Sequence, residues 1–197
     1  MPRHHRKKNR HRFVYLIRHG DYEKSPEHFG GVLTPRGEEQ TRHLIDPMSK
    51  IPVDAIYSSK MHRAVQTAQI LRDGAFPELE IQQTPWLNER LFPGYFTGED
   101  ADVEKDQKAR EILEKCWSRF FRPSRSERHD VLVCHGNVIR AILTRVLGAP
   151  LEHWFRAGIA NCGITQLVSI DAETTRLISF NERGHLPYRL RYIGSGK

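Results

Sequence analysis

Two apolar runs in this chain end in the same way. Phe13-Val14-Tyr15-Leu16-Ile17 is an unbroken stretch of β-formers, the pattern of a strand buried on both faces of a parallel sheet. It gives way within one residue to Arg18-His19-Gly20. Val131-Leu132-Val133-Cys134 repeats the construction and ends in His135-Gly136-Asn137. Between and after these runs the period changes. Thr34-Pro35 reads as the cap and first residue of a helix that should reach about Ile45 and stop before Pro47. Asp54–Ser58 reads as a short strand. Met61, Ala64, Val65, Ala68 and Leu71 form a stripe at helical spacing, with Ser58 or Ser59 available as its cap.

Farther along, Leu79–Ile81 is expected to be a weak edge strand, and residues 95–106 an insertion that could serve as a lid. Val103–Phe121 reads as a long amphipathic helix. A further helix, capped by Asn137, should run through Leu147 and close at Gly148 and Pro150. Leu151–Arg156 reads as a helical turn. Ile164–Ile170 alternates like a half-buried strand, with Thr174–Asn181 as its hairpin partner. The stretch from His185 to Ile193 is expected to lie across the surface. Strands alternating with helices predict an α/β protein, a three-layer α/β/α sandwich with a mainly parallel sheet and right-handed crossovers.

A length of 197 residues suits one domain with a sizeable core. With 28% charged and 38% hydrophobic residues, no apolar run long enough for a bilayer and no signal-peptide pattern, the chain reads as a soluble globular protein. Its three cysteines, Cys116, Cys134 and Cys162, are scattered and odd in number, which points to a reducing compartment. The expected address is the cytoplasm. The net charge of +7 belongs to one end, because Arg3, Arg6, Lys7, Lys8, Arg10 and Arg12 occupy residues 1–12 without an acid, and removing those six leaves +1. Residues 1–12 are therefore expected to form a disordered basic arm, with residues 13–197 as the domain. Contact of the arm with an acidic partner or nucleic acid ranks second, and a mitochondrial presequence third.

The strand endings carry the candidate chemistry. Polar residues at the carboxyl ends of buried parallel strands sit where open α/β sheets bind ligands. Arg63 joins them from the start of a helix, where the dipole prefers anions, so an arginine there makes sense beside a bound anion. Arg18, His19, Arg63 and His135 gathered at one edge would repel one another without a dianion between them. Phosphate suits them, since guanidinium forks match its oxygens, and a neutral imidazole can attack phosphorus. Glu89 stands between Trp86, Leu87, Leu91 and Phe92, apolar company that could raise its pKa toward general-acid duty. A surface Glu paired with Arg90 reads equally well. There is no acidic cluster suited to magnesium, no H-E-x-x-H and no G-x-x-x-x-G-K, so the expected chemistry needs no metal and no cofactor.

Arg18-His19-Gly20, Arg63-Ala64 with Gln66-Thr67-Ala68, Leu87-x-Glu89 and His135-Gly136-Asn137 together resemble the histidine phosphatase superfamily, the phosphoglycerate mutase-like fold, in the family's order from Val14 to about Ile170. The resemblance implies that His19 forms a phosphohistidine, that Arg18, Arg63 and His135 bind the phosphoryl group, and that Glu89 donates the proton. Asp21-Tyr22-Glu23-Lys24 departs from the mutase signature. Tyr22, the Cys134–Arg140 segment, Trp154-x-Arg156 and Asn161-x-Gly163-Ile164-Thr165 are closer to the family's mitochondrial Ser/Thr protein phosphatase branch, whereas Gly20 and Gly136 match the wider family. The expected function is a metal-independent phosphomonoesterase, a protein Ser/Thr phosphatase by this likeness. Alternatives are a phosphatase of a small metabolite or of phosphohistidine proteins, or a non-catalytic binding protein on this fold. Expected partners are a phosphorylated protein or small-molecule substrate, no membrane, nucleic acid only through the arm, and at most a second copy as a homodimer.

Overall fold

The computed structural model describes residues 11–89, 103–149 and 156–191. A six-stranded sheet is built from β1 (Arg12–Arg18), β4 (Ala55–Ser59), β5 (Ile81–Thr84), β6 (Arg128–Cys134), β7 (Ile164–Ser169) and β8 (Thr175–Glu182), in the order β5-β4-β6-β1-β7-β8. The first four of these run parallel, while β7 and β8 form an antiparallel flank on β1. A small hairpin of β2 (Tyr22–Glu23) and β3 (Val32–Leu33) stands apart. The helices are α1 (Pro35–Arg42), α2 (Ile45–Ser49), α3 (His62–Ala75), α4 (Val103–Phe120) and α5 (Gly136–Leu147). This is the α/β fold expected from the alternation of periods.

Because side chains alternate across a strand, β1 feeds two cores. Val14 and Leu16 join Leu132, Cys116, Phe120, Ile139 and Ile142 on the α4–α5 face. Tyr15 and Ile17 join Ile56, Val131, Val133, Met48, Ala68 and Leu71 on the α2–α3 face. All three cysteines are free and buried.

Local signals set several boundaries. The Thr34 hydroxyl accepts the Gly37 N–H at 3.1 Å, with Pro35 opening α1. Gly148 closes α5 in the left-handed region at φ 58, a conformation that costs glycine no Cβ clash. Other expectations are corrected. Helix α1 ends at Arg42, and Pro47 lies inside the separate α2, at its third residue, where a missing N–H has no intrahelical partner to lose. Neither Ser58 nor Ser59 caps α3, whose cap residue is Met61 and makes no side-chain bond. His135, not Asn137, occupies the cap position of α5. Leu186 and Leu190 are buried, not strapped across the surface. Residues 90–102, including most of the expected lid, and residues 150–155 of the expected turn at 151–156 lie outside the described residues.

The expected boundary of the arm also moves. Arg12 belongs to β1, and its guanidinium is buried against Asp130, with Nε donating to Oδ2 at 2.6 Å and Nη1 donating to the Arg119 carbonyl at 2.6 Å. The other expected arm residues through Arg10 lie outside the described set. Removing one partner of a buried pair strands the other charge. Asp130→Ala should therefore destabilise the protein by about 3–5 kcal/mol, read as a lowered urea midpoint.

Candidate active site

Strand register explains how residues far apart in sequence meet. Arg18 of β1 lies opposite Cys134 of β6, so His19 and His135 emerge side by side from adjacent parallel strands. Their ring centroids are 5.0 Å apart, and both side chains are fully buried. Strand β4 pairs with β6 on the other side and brings Ser59 and then Arg63, in the first turn of α3, to the same edge.

The ring of His19 is oriented by its own backbone. Nδ1 lies 2.7 Å from the Gly20 carbonyl, which can only accept, so Nδ1 carries the proton and Nε2 presents its lone pair. Gly20 N–H donates to Thr67 Oγ1 at 3.1 Å, and Asn161 Nδ2 donates to the His19 carbonyl at 2.9 Å. A Cβ on Gly20 would stand 2.5 Å from the Gly37 carbonyl oxygen, so glycine is required where α1 passes beneath the turn.

Arg63 distributes its guanidinium over the whole site. Nε donates to His19 Nε2 at 2.9 Å, Nη2 donates to His135 Nδ1 at 3.0 Å, and Nη1 donates to the Gly30 carbonyl. The Tyr22 ring lies against it, 4.3 Å from Cζ, in cation–π contact. Glu89 closes the group: Oε1 accepts the Asn137 N–H at 3.1 Å at the start of α5, and Oε2 lies 3.5 Å from His135 Nδ1 and 3.6 Å from Arg63 Nη2. Arg18 donates from Nη1 to the Ile159 carbonyl at 2.6 Å, while its buried Nε has no partner among the described residues.

These surroundings displace the ionisation of every member. Burial, reinforced by His135, Arg63 and Arg18, holds His19 well below the usual imidazole range. Burial, then Arg63 and Arg18, does the same to His135. Burial raises the Glu89 carboxyl against the opposing pull of the Asn137 N–H and the arginines. A neutral imidazole whose lone pair faces the pocket, beside a carboxyl pushed above its ordinary range, is the pairing that nucleophile and general acid require. One donor atom each from His19, Glu89 and His135 lies within 4.8 Å of the others, a spacing that could hold a metal ion. A cation there would have to displace Arg63 from both imidazole lone pairs and sit between guanidiniums. The donor set suits an anion instead.

All five residues singled out in the sequence, Arg18, His19, Arg63, Glu89 and His135, come together. Several of their partners were not anticipated. Ser59 Oγ meets His135 Nε2 at 2.8 Å, Asn88 meets Ser59, and Arg140 spans from Asn137 Oδ1 at 2.9 Å to the Ala157 carbonyl at 2.7 Å. Asn161 and Arg140 stand within segments that carried the family likeness, yet nothing in their spacing shows which backbone they brace.

The profile of the histidine phosphatase superfamily, branch 1, matches residues 14–130 and 100–183. This chain belongs to that superfamily, a phosphatase family of hydrolases. Among curated proteins it is 32% identical over 185 residues to the serine/threonine-protein phosphatase Pgam5, mitochondrial, of Caenorhabditis elegans, covering 89% of this chain and 64% of that protein. The Xenopus tropicalis protein of the same name is 28% identical, covering 89% and 66%. The chain thus spans a little under two thirds of the length of these relatives. Among solved structures, a phosphoglycerate mutase from Plasmodium falciparum aligns with TM-score 0.63 and 31% identity, covering 91% of this chain and 96% of that one. A phosphoserine phosphatase from Entamoeba histolytica aligns with TM-score 0.68 at 22% identity, covering 89% of this chain and 100% of that one, a likeness of fold.

The expected cytoplasmic address is overturned by these relatives, which are mitochondrial by name. No helix among the described residues is long and apolar enough to cross a membrane.

Two depressed imidazoles make stability depend on pH. An unfolded His19 or His135 binds its proton near the ordinary value of 6.5, whereas the folded one does so only well below it. Stability contributed by each is present above 6.5 and is lost as pH falls toward the folded value, by about 1.4 kcal/mol per pH unit per histidine. Glu89, raised, works in the opposite sense over its own interval. Replacing His19 with Gln should therefore flatten the acid limb by one histidine's share, measured from urea midpoints between pH 5 and 7.

Proposed function

We propose that this chain is a metal-independent phosphomonoesterase acting through a phosphohistidine on His19, with phosphoserine or phosphothreonine of a protein as substrate and a mitochondrial address. The observation that carries the reading is the single guanidinium of Arg63 joined to both His19 Nε2 and His135 Nδ1. Three positive or donor groups around one imidazole lone pair describe a seat for a phosphoryl dianion, with Arg63, Arg18 and His135 on its oxygens. The partnerless Nε of Arg18 supports that seat.

In the first step the His19 Nε2 lone pair forms the N–P bond as the ester P–O bond breaks. Glu89 gives its proton to the departing alkoxide. The Nδ1 proton stays on the ring, donated to the Gly20 carbonyl, and steadies the imidazolium of the phosphorylated ring. In the second step the Glu89 carboxylate takes a proton from water, the oxygen attacks phosphorus, and the N–P bond breaks to return neutral His19 and phosphate. Charge neutralisation and alignment supply most of the acceleration in such transfers.

The protein-phosphate substrate is supported by the Pgam5 relatives. A small phosphorylated metabolite is the second reading, favoured by the 31% identity to a phosphoglycerate mutase.

His19→Ala should abolish hydrolysis of p-nitrophenyl phosphate and the acid-labile phosphoenzyme trapped by rapid quench; retention of both would refute covalent catalysis. Glu89→Gln should lower kcat roughly 10²–10⁴-fold with substrates whose leaving group needs a proton, and less with activated aryl esters. Turnover of phosphopeptides against a panel of phosphorylated metabolites decides the substrate class, and turnover of metabolites alone sinks the protein phosphatase reading.

A further inference from the structure

We propose that Ser59 and Asn88 lock His135 in the tautomer whose proton sits on Nε2, so that Nδ1 faces the pocket as a lone pair and becomes a donor to a phosphoryl oxygen only as an imidazolium. The inference rests on the phosphatase reading for its consequence, though the lock itself is a matter of hydrogen-bond bookkeeping.

The lock begins at a backbone group. Lys60 N–H donates at 2.9 Å to Asn88 Oδ1, so the amide must turn its oxygen, not its nitrogen, toward β4. That oxygen also lies 3.0 Å from Ser59 Oγ and takes the hydroxyl proton. The Met61 N–H donates to the same Oγ at 3.1 Å. A serine hydroxyl has one proton and two lone pairs. The proton is committed to Asn88 and one lone pair to Met61, so Ser59 can meet His135 Nε2, 2.8 Å away, only as an acceptor. His135 therefore carries its proton on Nε2. The opposite nitrogen agrees, because Arg63 Nη2, a donor only, lies 3.0 Å from Nδ1.

The charged and titratable groups facing His135 are Arg18 and His19 from β1, Arg63 from α3, Glu89 from the segment after β5, and Arg140 from α5 itself, which acts through Glu89 and Arg18. His19 also presents a bare lone pair. Neither imidazole can thus offer a proton to an arriving dianion while neutral. When the dianion draws Arg63 onto its own oxygens, Nδ1 takes one proton from solvent and donates it to a phosphoryl oxygen. Glu89 stays the proposed proton donor to the leaving group. Ser59 and Asn88 touch no reacting atom, so both are positioning residues.

The test reads the tautomer directly. Long-range ¹H–¹⁵N correlation spectra of the wild-type protein should show the His135 ring protonated at Nε2 alone; a ring protonated at Nδ1 overturns the proposal. Calorimetric titration with tungstate in buffers of different ionisation enthalpy should show uptake of about one proton per bound anion near neutral pH. Ser59→Ala frees Nε2 from its acceptor, so once tungstate draws Arg63 from Nδ1 the neutral Nδ1–H tautomer should appear and proton uptake should fall toward zero. Ser59→Thr keeps the hydroxyl and should restore the wild-type spectrum and uptake. Asn88→Ala, at a half-buried position, releases the Ser59 proton toward His135 and should give the same loss if Ser59→Ala does not fold. A doubly protonated His135 ring with tungstate bound and undiminished proton uptake in the folded alanine variants would refute the lock. A wild-type protein that shows the Nε2–H ring yet turns over no aryl phosphate counts against the phosphatase reading and still supports the lock.

Discussion

One guanidinium holds this site together. Arg63 is buried and almost inaccessible, and its three nitrogens go to His19, His135 and the Gly30 carbonyl. A cation at that position has two effects. It fixes the rings so that both pocket-facing nitrogens bear lone pairs, and it adds to burial in keeping both imidazoles from charging. The site is thereby prepared for a ligand whose oxygens can take over the guanidinium. Tyr22 of β2 covers Arg63 on another side and Gly30 of the following loop accepts from it, so the β2–β3 hairpin contributes to the preparation.

That arrangement depends on a shell which is itself hydrogen-bonded throughout. Asn161 holds the carbonyl of His19, Asn181 holds Ala160 N–H and the Gly158 carbonyl, and Arg18 and Arg140 reach the Ile159 and Ala157 carbonyls. The segment from 157 to 161 is thus tied at every residue, and Arg18, Arg140 and Asn161 among its ties also reach the site. Buried networks of this sort are valuable when every member is satisfied and costly when one is not. Among the described residues the Nε of Arg18 is the exception in this network, buried without a partner.

Glu89 shows how one acid serves two ends. Its Oε1 accepts an amide at the start of α5, where the helix dipole favours a carboxylate, while burial favours the protonated form. Burial outweighs the opposing pulls and leaves the carboxyl above its ordinary range, the direction that the proposed general acid requires. The Pgam5 relatives are mitochondrial by name, an address that cysteine usage does not separate from the cytoplasm.

The amino-acid sequence by itself determined what depends on near neighbours. The two strand-to-His-Gly endings, the Thr34-Pro35 start, the Gly148 stop and the apolar stripe of α3 are all set within a few residues by backbone sterics and side-chain period. They were enough to name the five residues at the sheet edge and the fold that gathers them. Only the tertiary structure decided how those residues are ionised and which nitrogen of each ring is free. His19 and Arg63 are 44 positions apart, Arg63 and His135 72, and Ser59 and His135 76. Whether Ser59 caps a helix or orients an imidazole, and whether Arg12 belongs to a basic arm or pairs with Asp130 118 residues away, depends on which strands lie beside one another. Strand adjacency arises from crossovers that bury the two cores, and hydrogen-bond partners follow from it; a local pattern holds no record of either.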